Sequence, residues 1–335
     1  MDLFERLGVP LKVERGGRVF PQSDKAGDIN DALFRYCRSG GVQFLHDTVT
    51  GLSTENGRVR AVQTEEKEEI PCSCAVVATG GLSYPRTGST GTGYQLARQA
   101  GHTIVPTKPS LVPLEVQEKD CRDAQGLSLR NIAITVTDPQ DGRCLYQDFG
   151  ELLFTHFGMS GPVVLSASSH IRDMKHPVRL EIDLKPALSP EQLDARILRD
   201  FSEKINKDFG NSLSKLLPQK LIPVIIKRTG IPYDTKVHSV TREQRAALAT
   251  VLKALPFTVT GFRPIEEAII TSGGVSVAEI DPRTMASRLV DGLYFAGEVM
   301  DLDAHTGGFN LQIAFSTGWC AGNATAERMG VHSYD

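Results

Sequence analysis

Two histidines are the side chains in this sequence best suited to proton transfer. His156 lies between Phe154 and Phe157 in the segment LLFTHFGMSGP, and His305 precedes the glycine pair of HTGGFN. Histidine titrates near neutrality, so either side chain could act as a proton donor. A histidine between two phenylalanines is more often a core or loop residue. The glycine pair gives His305 the better position beside a bound ring.

A glutamate and a helix start follow the apolar run GLYFA near the C-terminus. Glu298 is the second residue after this run, behind Gly297, and could accept hydrogen bonds from ribitol hydroxyls. A helix is predicted to begin at about Asn310, without a side-chain cap. Backbone amides at a helix N-terminus can hold a negatively polarised oxygen, such as that of a reduced flavin. The alternative is a helix that packs on a sheet, with the acid as a solvated cap.

The most glycine-rich segment is AVVATGGLSYPRTGSTGTGYQLARQAGH, residues 75–102. A dinucleotide fingerprint requires G-x-G-x-x-G directly after a strand. Here the G-x-G is Gly91-Thr-Gly93, Leu96 stands where the third glycine should be, and the strand is predicted to end earlier, at about Thr79. The segment is therefore not the pyrophosphate turn. Its glycines either let the backbone approach a flat or bulky ligand, or only form a tight turn.

Composition limits the possible functions. The chain has 335 residues, 40% hydrophobic and 23% charged, which is typical of a globular protein of two or three domains. A net charge of -3 gives no electrostatic case for nucleic acid. The sequence predicts no membrane span and no signal peptide, and six scattered cysteines favour reduced thiols in the cytoplasm. The pair Cys72 and Cys74 has no second ligand pair nearby, so no metal site is predicted.

The predicted elements are α/β at both ends of the chain. A helix capped by Asp28, a buried strand at VQFL (residues 42–45) and strands over 49–63 and 68–79 are expected in the first 108 residues. The middle is predicted to be a β-rich segment (109–187), a helical segment and a second β-rich segment (256–272). The helical segment covers 188–255, begins with Ser189 before Pro190, and is cut into short helices by prolines. Residues 273–335 complete the first domain, so a nucleotide-binding domain carrying an insertion fits the order.

Several segments together resemble one family, the YhiN/BaiN-type flavoproteins, which are FAD-dependent oxidoreductases. They are GRVFPQSDKAGDI, the glycine-rich segment, PSLVPL, GELLFTHFGMSGP, TSGGVSV and GLYFAGEVMDLDAHTGGFNLQIAFSTGW. The resemblance implies an FAD/NAD(P)-binding Rossmann-like domain with an inserted β-barrel-like domain and a small helical bundle. It also implies a set of residues along the FAD: Ala78, Thr79, Gly80, Gly81, Gly91, Gly93, Gly297, Glu298, Gly307, Gly308, Phe309 and Asn310.

The family chemistry implied is hydride transfer through FAD, with His305 and His156 as candidate catalytic residues. The expected activity is NADH- or NADPH-linked reduction of an activated C=C bond, in an enone that could be bile-acid-like. The expected substrate is a small molecule, with no nucleic acid or membrane partner. An amine or aminoacetone-type oxidase and a non-catalytic remnant stay open as alternatives.

The sequence departs from the family pattern at its start. The resemblance implies a start with a strand, G-x-G-x-x-G and a helix, and by that layout we expect roughly 80 to 90 residues to be absent before Met1. We expect the loss of this unit to leave an apolar sheet edge and a groove exposed, and to remove the amides that hold the pyrophosphate. The truncated chain is therefore expected to retain little FAD on its own.

Overall fold

The computed structural model describes residues 1–14, 17–66, 69–171, 174–203 and 205–330. The described residues divide into two compact units. The first combines Met1–Lys108 with Thr271–Asp335, and the second is Pro109–Ile270. The second unit therefore interrupts the first in sequence.

The first unit is α/β, and its central pair of strands is parallel. The N-terminal elements are α1 (Asp2–Arg6), β1 (Leu11–Glu14), β2 (Arg18–Pro21), α2 (Ala26–Ser39), β3 (Val49–Glu55), β4 (Arg58–Thr64), β5 (Ile70–Pro71), β6 (Ala75–Val77), α3 (Thr92–Gln99) and β7 (Ile104–Ser110). Three more elements of the first unit follow the second unit in the chain. They are β14 (Ile270–Val275), β15 (Leu293–Phe295) and α10 (Phe309–Arg328), and the numbers between belong to elements of the second unit.

Pairing in the first unit joins segments far apart in sequence. β15 runs parallel to β6, with Leu293 opposite Ala75 and Phe295 opposite Val77. The other sheets are the hairpin of β1 and β2, the pair of β7 and β14, and the meander of β3, β4 and β5. One apolar core, which includes Phe295, packs beneath the parallel strands.

The second unit contains a closed antiparallel barrel. Its strands are β8 (Leu114–Val116), β9 (Ser128–Thr137), β10 (Cys144–Phe154), β11 (Gly158–Ser160), β12 (Val178–Asp183) and β13 (Leu255–Phe262). Alternate side chains of β12 are buried, as a barrel wall requires. Its helices are α4 (Asp120–Asp123), α5 (Pro162–His170), α6 (Pro190–Ser202), α7 (Phe209–Ser212), α8 (Ile222–Thr229) and α9 (Arg242–Lys253). A Rossmann-type domain with an inserted barrel and helices is thus confirmed.

Two local predictions were wrong. Residues 42–45 form no strand in the described structure, and Val42, Phe44 and Leu45 are exposed, because no neighbouring strand pairs with them there. Asp28 is not the N-cap of α2, because the helix already begins at Ala26, after Lys25. Asp28 instead lies within the first turn of the helix, where its carboxylate accepts a hydrogen bond from the hydroxyl of Ser23 at 2.5 Å.

No helix in the described part of the chain is long and apolar enough to cross a membrane. Among the same residues, no group of three or more potential ligand side chains could hold a metal ion.

Candidate functional site

The carboxyl ends of β6 and β15 lead into two glycine turns at one edge of the parallel pair. β6 is followed by Ala78, Thr79, Gly80 and Gly81, whereas β15 is followed by Ala296, Gly297 and Glu298. The Ala296 N–H donates to the Val77 carbonyl at 3.0 Å, so the two chains are still joined as they leave the sheet. Ligands of open α/β sheets bind at the carboxyl ends of the strands. The first unit therefore presents both turns where a cofactor site is expected.

The turn after β6 can be built only with glycine at two positions. Gly80 has a φ of +72°, in the left-handed region. A Cβ atom at Gly81 would lie 2.4 Å from the Thr271 hydroxyl oxygen and 2.6 Å from a carboxylate oxygen of Glu298. Here the backbone must approach other groups closely, which only glycine permits.

Thr271 and Glu298 hold this turn through hydrogen bonds. The buried Thr271 hydroxyl accepts from the N–H groups of Leu82 and Ser83, at 2.8 and 3.2 Å. Oε1 of Glu298 accepts from the Thr271 N–H at 2.7 Å and from the Ser83 hydroxyl at 2.9 Å. The glutamate expected to meet ribitol hydroxyls thus also joins the two glycine turns.

A hydroxyl group of α10 holds the second turn through a hydrogen bond. Gly297 has a φ of +75°, and its N–H donates to the hydroxyl of Thr317 at 2.9 Å. That hydroxyl donates in turn to the Ile313 carbonyl at 2.7 Å. The sequence patterns did not single out Thr271, Ser83 or Thr317, because each acts through a partner distant in sequence.

Two buried polar atoms near the turns lack a hydrogen-bond partner among the described residues. They are the Thr79 hydroxyl oxygen and the Tyr94 phenol oxygen. Burial raises the pKa of Tyr94 to about 12, and the Glu298 carboxylate adds to this rise. Buried polar groups are nearly always hydrogen-bonded, so these two indicate a missing partner such as a bound ligand or ordered water.

Gly91 and Gly93 lie at the start of α3. Gly91 precedes the helix with a φ of +84°. A Cβ atom at Gly93 would lie 2.1 Å from the Thr79 hydroxyl oxygen and 3.1 Å from Val77. Gly93 therefore lets α3 pack directly on the end of β6. This is a packing role, and contact of either glycine with a flavin stays a prediction.

Gly307 and Gly308 precede α10 and leave its N-terminus open. Both have positive φ, and a Cβ at Gly308 would meet no described atom within 4 Å. The first intrahelical bond runs from the Gln312 N–H to the Gly308 carbonyl, so the amides of the first turn have no helical acceptor.

The Asn310 side chain accepts from the Ala304 N–H and donates to its carbonyl, at 2.8 and 2.9 Å. Asn310 thereby closes the loop that carries His305, while Phe309 is exposed.

The two candidate proton donors belong to different units. His305 is exposed on the loop before α10 in the first unit. His156 is exposed between β10 and β11 of the barrel, and its ring meets the Phe157 ring edge-on at 5.0 Å. Arg263 lies over the Phe157 ring and holds the pKa of the Glu267 carboxyl below its usual range, with a smaller contribution from His156. His156 thus lies on the same side of the barrel loop as the Arg263–Glu267 ion pair.

Several large apolar side chains of the first unit are exposed in the described structure. In α10, Leu311 and Trp319 are 64% and 58% exposed. Val76 of β6 is also exposed, as are two side chains of α2, Phe34 and Tyr36.

The parallel strands with glycine turns at their carboxyl ends, interrupted by a barrel, define a Rossmann-type flavoprotein of the FAD-dependent oxidoreductase class. The chain belongs to the family described as HI0933-like protein Rossmann domain, whose model matches residues 1–324. It is 30% identical to the 3-dehydro-bile acid delta(4,6)-reductase of Clostridium scindens, over 98% of this chain and 80% of that protein. It is 31% identical to the ribosomal RNA dihydrouridine synthase of Haemophilus influenzae, over 96% and 78%, and of Escherichia coli, over 98% and 79%.

Solved structures show a more distant likeness. Mycobacterium smegmatis Sdh1 in complex with UQ1 matches 99% of this chain with a TM-score of 0.41 and 14% identity. Aquifex aeolicus GidA matches 97% with a TM-score of 0.38 and 12% identity. The chain spans about half the length of these two proteins, 54% and 55% respectively.

The described residues fit a flavin cofactor in part. Glycines approach closely after both strands, Thr79 and Tyr94 present unpartnered buried oxygens, and α10 has an open N-terminus. The sequence contains no G-x-G-x-x-G, so it supplies no pyrophosphate turn of that kind. The parts expected at the flavin end of FAD are therefore better represented than those expected at its pyrophosphate.

Proposed function

We propose that this protein is an NADH- or NADPH-linked reductase that uses FAD to reduce a C=C bond conjugated to a carbonyl group. The observation that carries the proposal is the placement of the two glycine turns at the carboxyl ends of β6 and β15. FAD, when bound, supplies hydride transfer at its N5 atom. The fold provides binding and orientation.

The chain's own residues have separate roles in this proposal. The backbone at Ala78, Thr79, Gly80 and Gly81 would hold the cofactor, and Gly297 and Glu298 would bind its ribitol. The amides that begin α10, after Gly307 and Gly308, would stabilise negative charge on the flavin ring. His305 or His156 donates the proton that completes reduction of the double bond.

The relatives' names favour a shared reaction type. A bile acid delta(4,6)-reductase acts on C=C bonds near a 3-oxo group, whereas a dihydrouridine synthase acts on the C5–C6 bond of uracil, which is conjugated to the C4 carbonyl. In both names the C=C bond is conjugated with a carbonyl group, which makes it electrophilic toward hydride. The net charge of -3 favours a small enone over an RNA polyanion as the substrate of this chain. A uridine in RNA is the second candidate, supported by the two synthase relatives.

The test follows flavin absorbance near 450 nm under anaerobic conditions. It uses the chain, and a chimera with the N-terminal segment of the Escherichia coli relative placed before Met1. The FAD retained by the chain and by the chimera is compared first. NADH or NADPH should bleach the flavin, and a 3-oxo-Δ4 steroid should restore its absorbance faster than oxygen does.

Three other outcomes would contradict parts of the proposal. Reoxidation by unmodified ribosomal RNA but not by the steroid would favour the uridine candidate. Fast reoxidation by oxygen, after reduction by an amine, would favour the oxidase alternative. Absence of FAD from both proteins would favour the non-catalytic alternative and overturn the proposed function.

A further inference from the structure

In the described structure, the hydroxyl oxygen of Thr271 accepts hydrogen bonds only from the turn that follows β6. Thr271 is 0% exposed, and its oxygen accepts from two successive backbone amides, those of Leu82 and Ser83. A hydroxyl oxygen has two acceptor positions, so both are filled. Without this oxygen, two N–H groups in a largely buried turn would lose their partner.

The same threonine is tied to the second glycine turn. Its backbone N–H donates to Oε1 of Glu298, which also accepts from the Ser83 hydroxyl. Thr271, Ser83 and Glu298 thus form a closed ring of hydrogen bonds. The ring joins three segments of the first unit: the turn after β6, the start of β14 and the turn after β15.

The fit around Gly81 shows how closely this ring holds the backbone. A Cβ atom there would lie 2.4 Å from the Thr271 hydroxyl oxygen and 2.7 Å from its Cβ. The next residues leave the turn under backbone strain, since Tyr84 adopts a φ of +53°. A conformation of this kind persists only where neighbouring bonds hold it.

We propose that Thr271 is a positioning residue for the cofactor turn. Its hydroxyl fixes the amides of Leu82 and Ser83, and through them the direction in which Gly80 and Gly81 face the cofactor. This role rests on the proposed function only in that the turn faces FAD. Glu298 has a second role beside any contact with ribitol, because its Oε1 holds Ser83 and Thr271 in place.

The first test is amide hydrogen exchange in the purified chain, which needs no cofactor. In Thr271→Val, the amides of Leu82 and Ser83 should exchange faster by about tenfold or more, because they lose their acceptor. Thr271→Ser keeps the hydroxyl oxygen, so the exchange rates of these two amides should stay close to those of the original protein. The Val59 amide, which donates to the Asp291 carbonyl at 2.9 Å in the same unit, is the internal control.

Each exchange result decides the proposal. Faster exchange at Leu82 and Ser83 with an unchanged Val59 supports it. Equal acceleration at all three amides would show a general stabilising role and overturn it, as would no change in Thr271→Val. If Thr271→Val does not accumulate, Thr271→Cys replaces it under the same expectations, because a thiol is a weak acceptor.

The second test measures the FAD dissociation constant by fluorescence quenching. We expect about tenfold weaker binding in Thr271→Val and recovery in Thr271→Ser. Unchanged FAD affinity in Thr271→Val, despite faster exchange, would remove the link to the cofactor and overturn the proposal. If neither the original protein nor the chimera described above binds FAD, the proposed function fails, whereas the exchange comparison still decides whether Thr271 holds the turn.

Discussion

The guanidinium of Arg328 donates two hydrogen bonds to the carboxylate of Asp291, at 2.5 and 2.7 Å. Arg58 donates a third to the same carboxylate at 2.8 Å. The last residue of α10 is thereby tied to β4 and to the chain entering β15. These bonds fix the C-terminal end of the helix whose N-terminus faces the candidate site.

We expect Asp291→Asn to lower the free energy of unfolding at pH 7 by about 1 kcal/mol, since partly exposed ion pairs contribute modestly. Arg328, with a smaller effect from Arg58, lowers the pKa of Asp291 to about 2. A carboxyl whose folded-state pKa is depressed contributes stability above its unfolded pKa, and the contribution is lost as the pH falls. The difference between variant and original should therefore shrink between about pH 4 and pH 2.

Urea unfolding at several pH values measures this difference. Asp31→Asn, at an exposed position on α2, is the matched control and should change little. A constant difference down to pH 2 would contradict the electrostatic account.

The buried imidazole of His102 predicts a second pH effect. Its Nδ1 lies 3.1 Å from the Glu279 carboxylate and its Nε2 lies 2.7 Å from the Ser287 hydroxyl. That hydroxyl already accepts from the N–H groups of Leu289 and Val290, so its proton points to Nε2. The ring is therefore neutral, with the proton on Nδ1. Burial lowers the pKa of His102, against an opposing effect of Glu279.

Because the folded-state pKa is depressed, the unfolded chain binds this proton first as the pH falls. The contribution of neutral His102 to the free energy of unfolding should be fully present above about pH 6.5. Below that pH it should fall by at most about 1.4 kcal/mol per pH unit. His102→Gln should remove this slope, whereas His46→Gln, at an exposed position, should keep it. Denaturant titrations from pH 7.5 to 5 decide the point, and an identical slope in His102→Gln would refute the assignment.

The strands of the barrel could be predicted from the sequence because their signal is local, whereas their closure into a barrel is expected only from the family resemblance. In VRLEIDL the alternation of apolar and polar residues matches the alternating burial of β12. Residues 42–45 show the limit of the same reasoning. An apolar run becomes a strand only beside a partner, and in the described structure these side chains remain exposed.

The candidate site could be predicted only in part. Glycine turns after short apolar runs are visible in sequence, and so is the uncapped start of α10. The bond from Ser83 to Thr271 joins residues 188 positions apart, and the bond from Ser83 to Glu298 spans 215. No local pattern encodes such pairs, so the residues that hold the turns emerge only from the fold.

The single tryptophan reports on the exposed surface of α10. The chain contains one Trp, Trp319, and it is 58% exposed. We expect its emission to resemble that of a free indole and to be quenched efficiently by iodide. In the chimera described above, the emission should shift to the blue and quenching should weaken if the added segment covers α10. Protection from iodide in the chain alone, at every protein concentration, would contradict the exposure of this face.

The two histidines can be separated by kinetics in FAD-loaded protein. Replacing the true proton donor by alanine should slow reduction of the enone by about 10²- to 10⁴-fold, which is the usual contribution of general acid catalysis. Flavin reduction by NADH or NADPH should be unchanged, because that step needs no proton from either side chain. Stopped-flow absorbance measures the two half-reactions of His305→Ala and His156→Ala independently, with His46→Ala as the control. Wild-type rates in both variants would remove both histidines as donors, whereas slower flavin reduction would indicate a role in binding the nicotinamide.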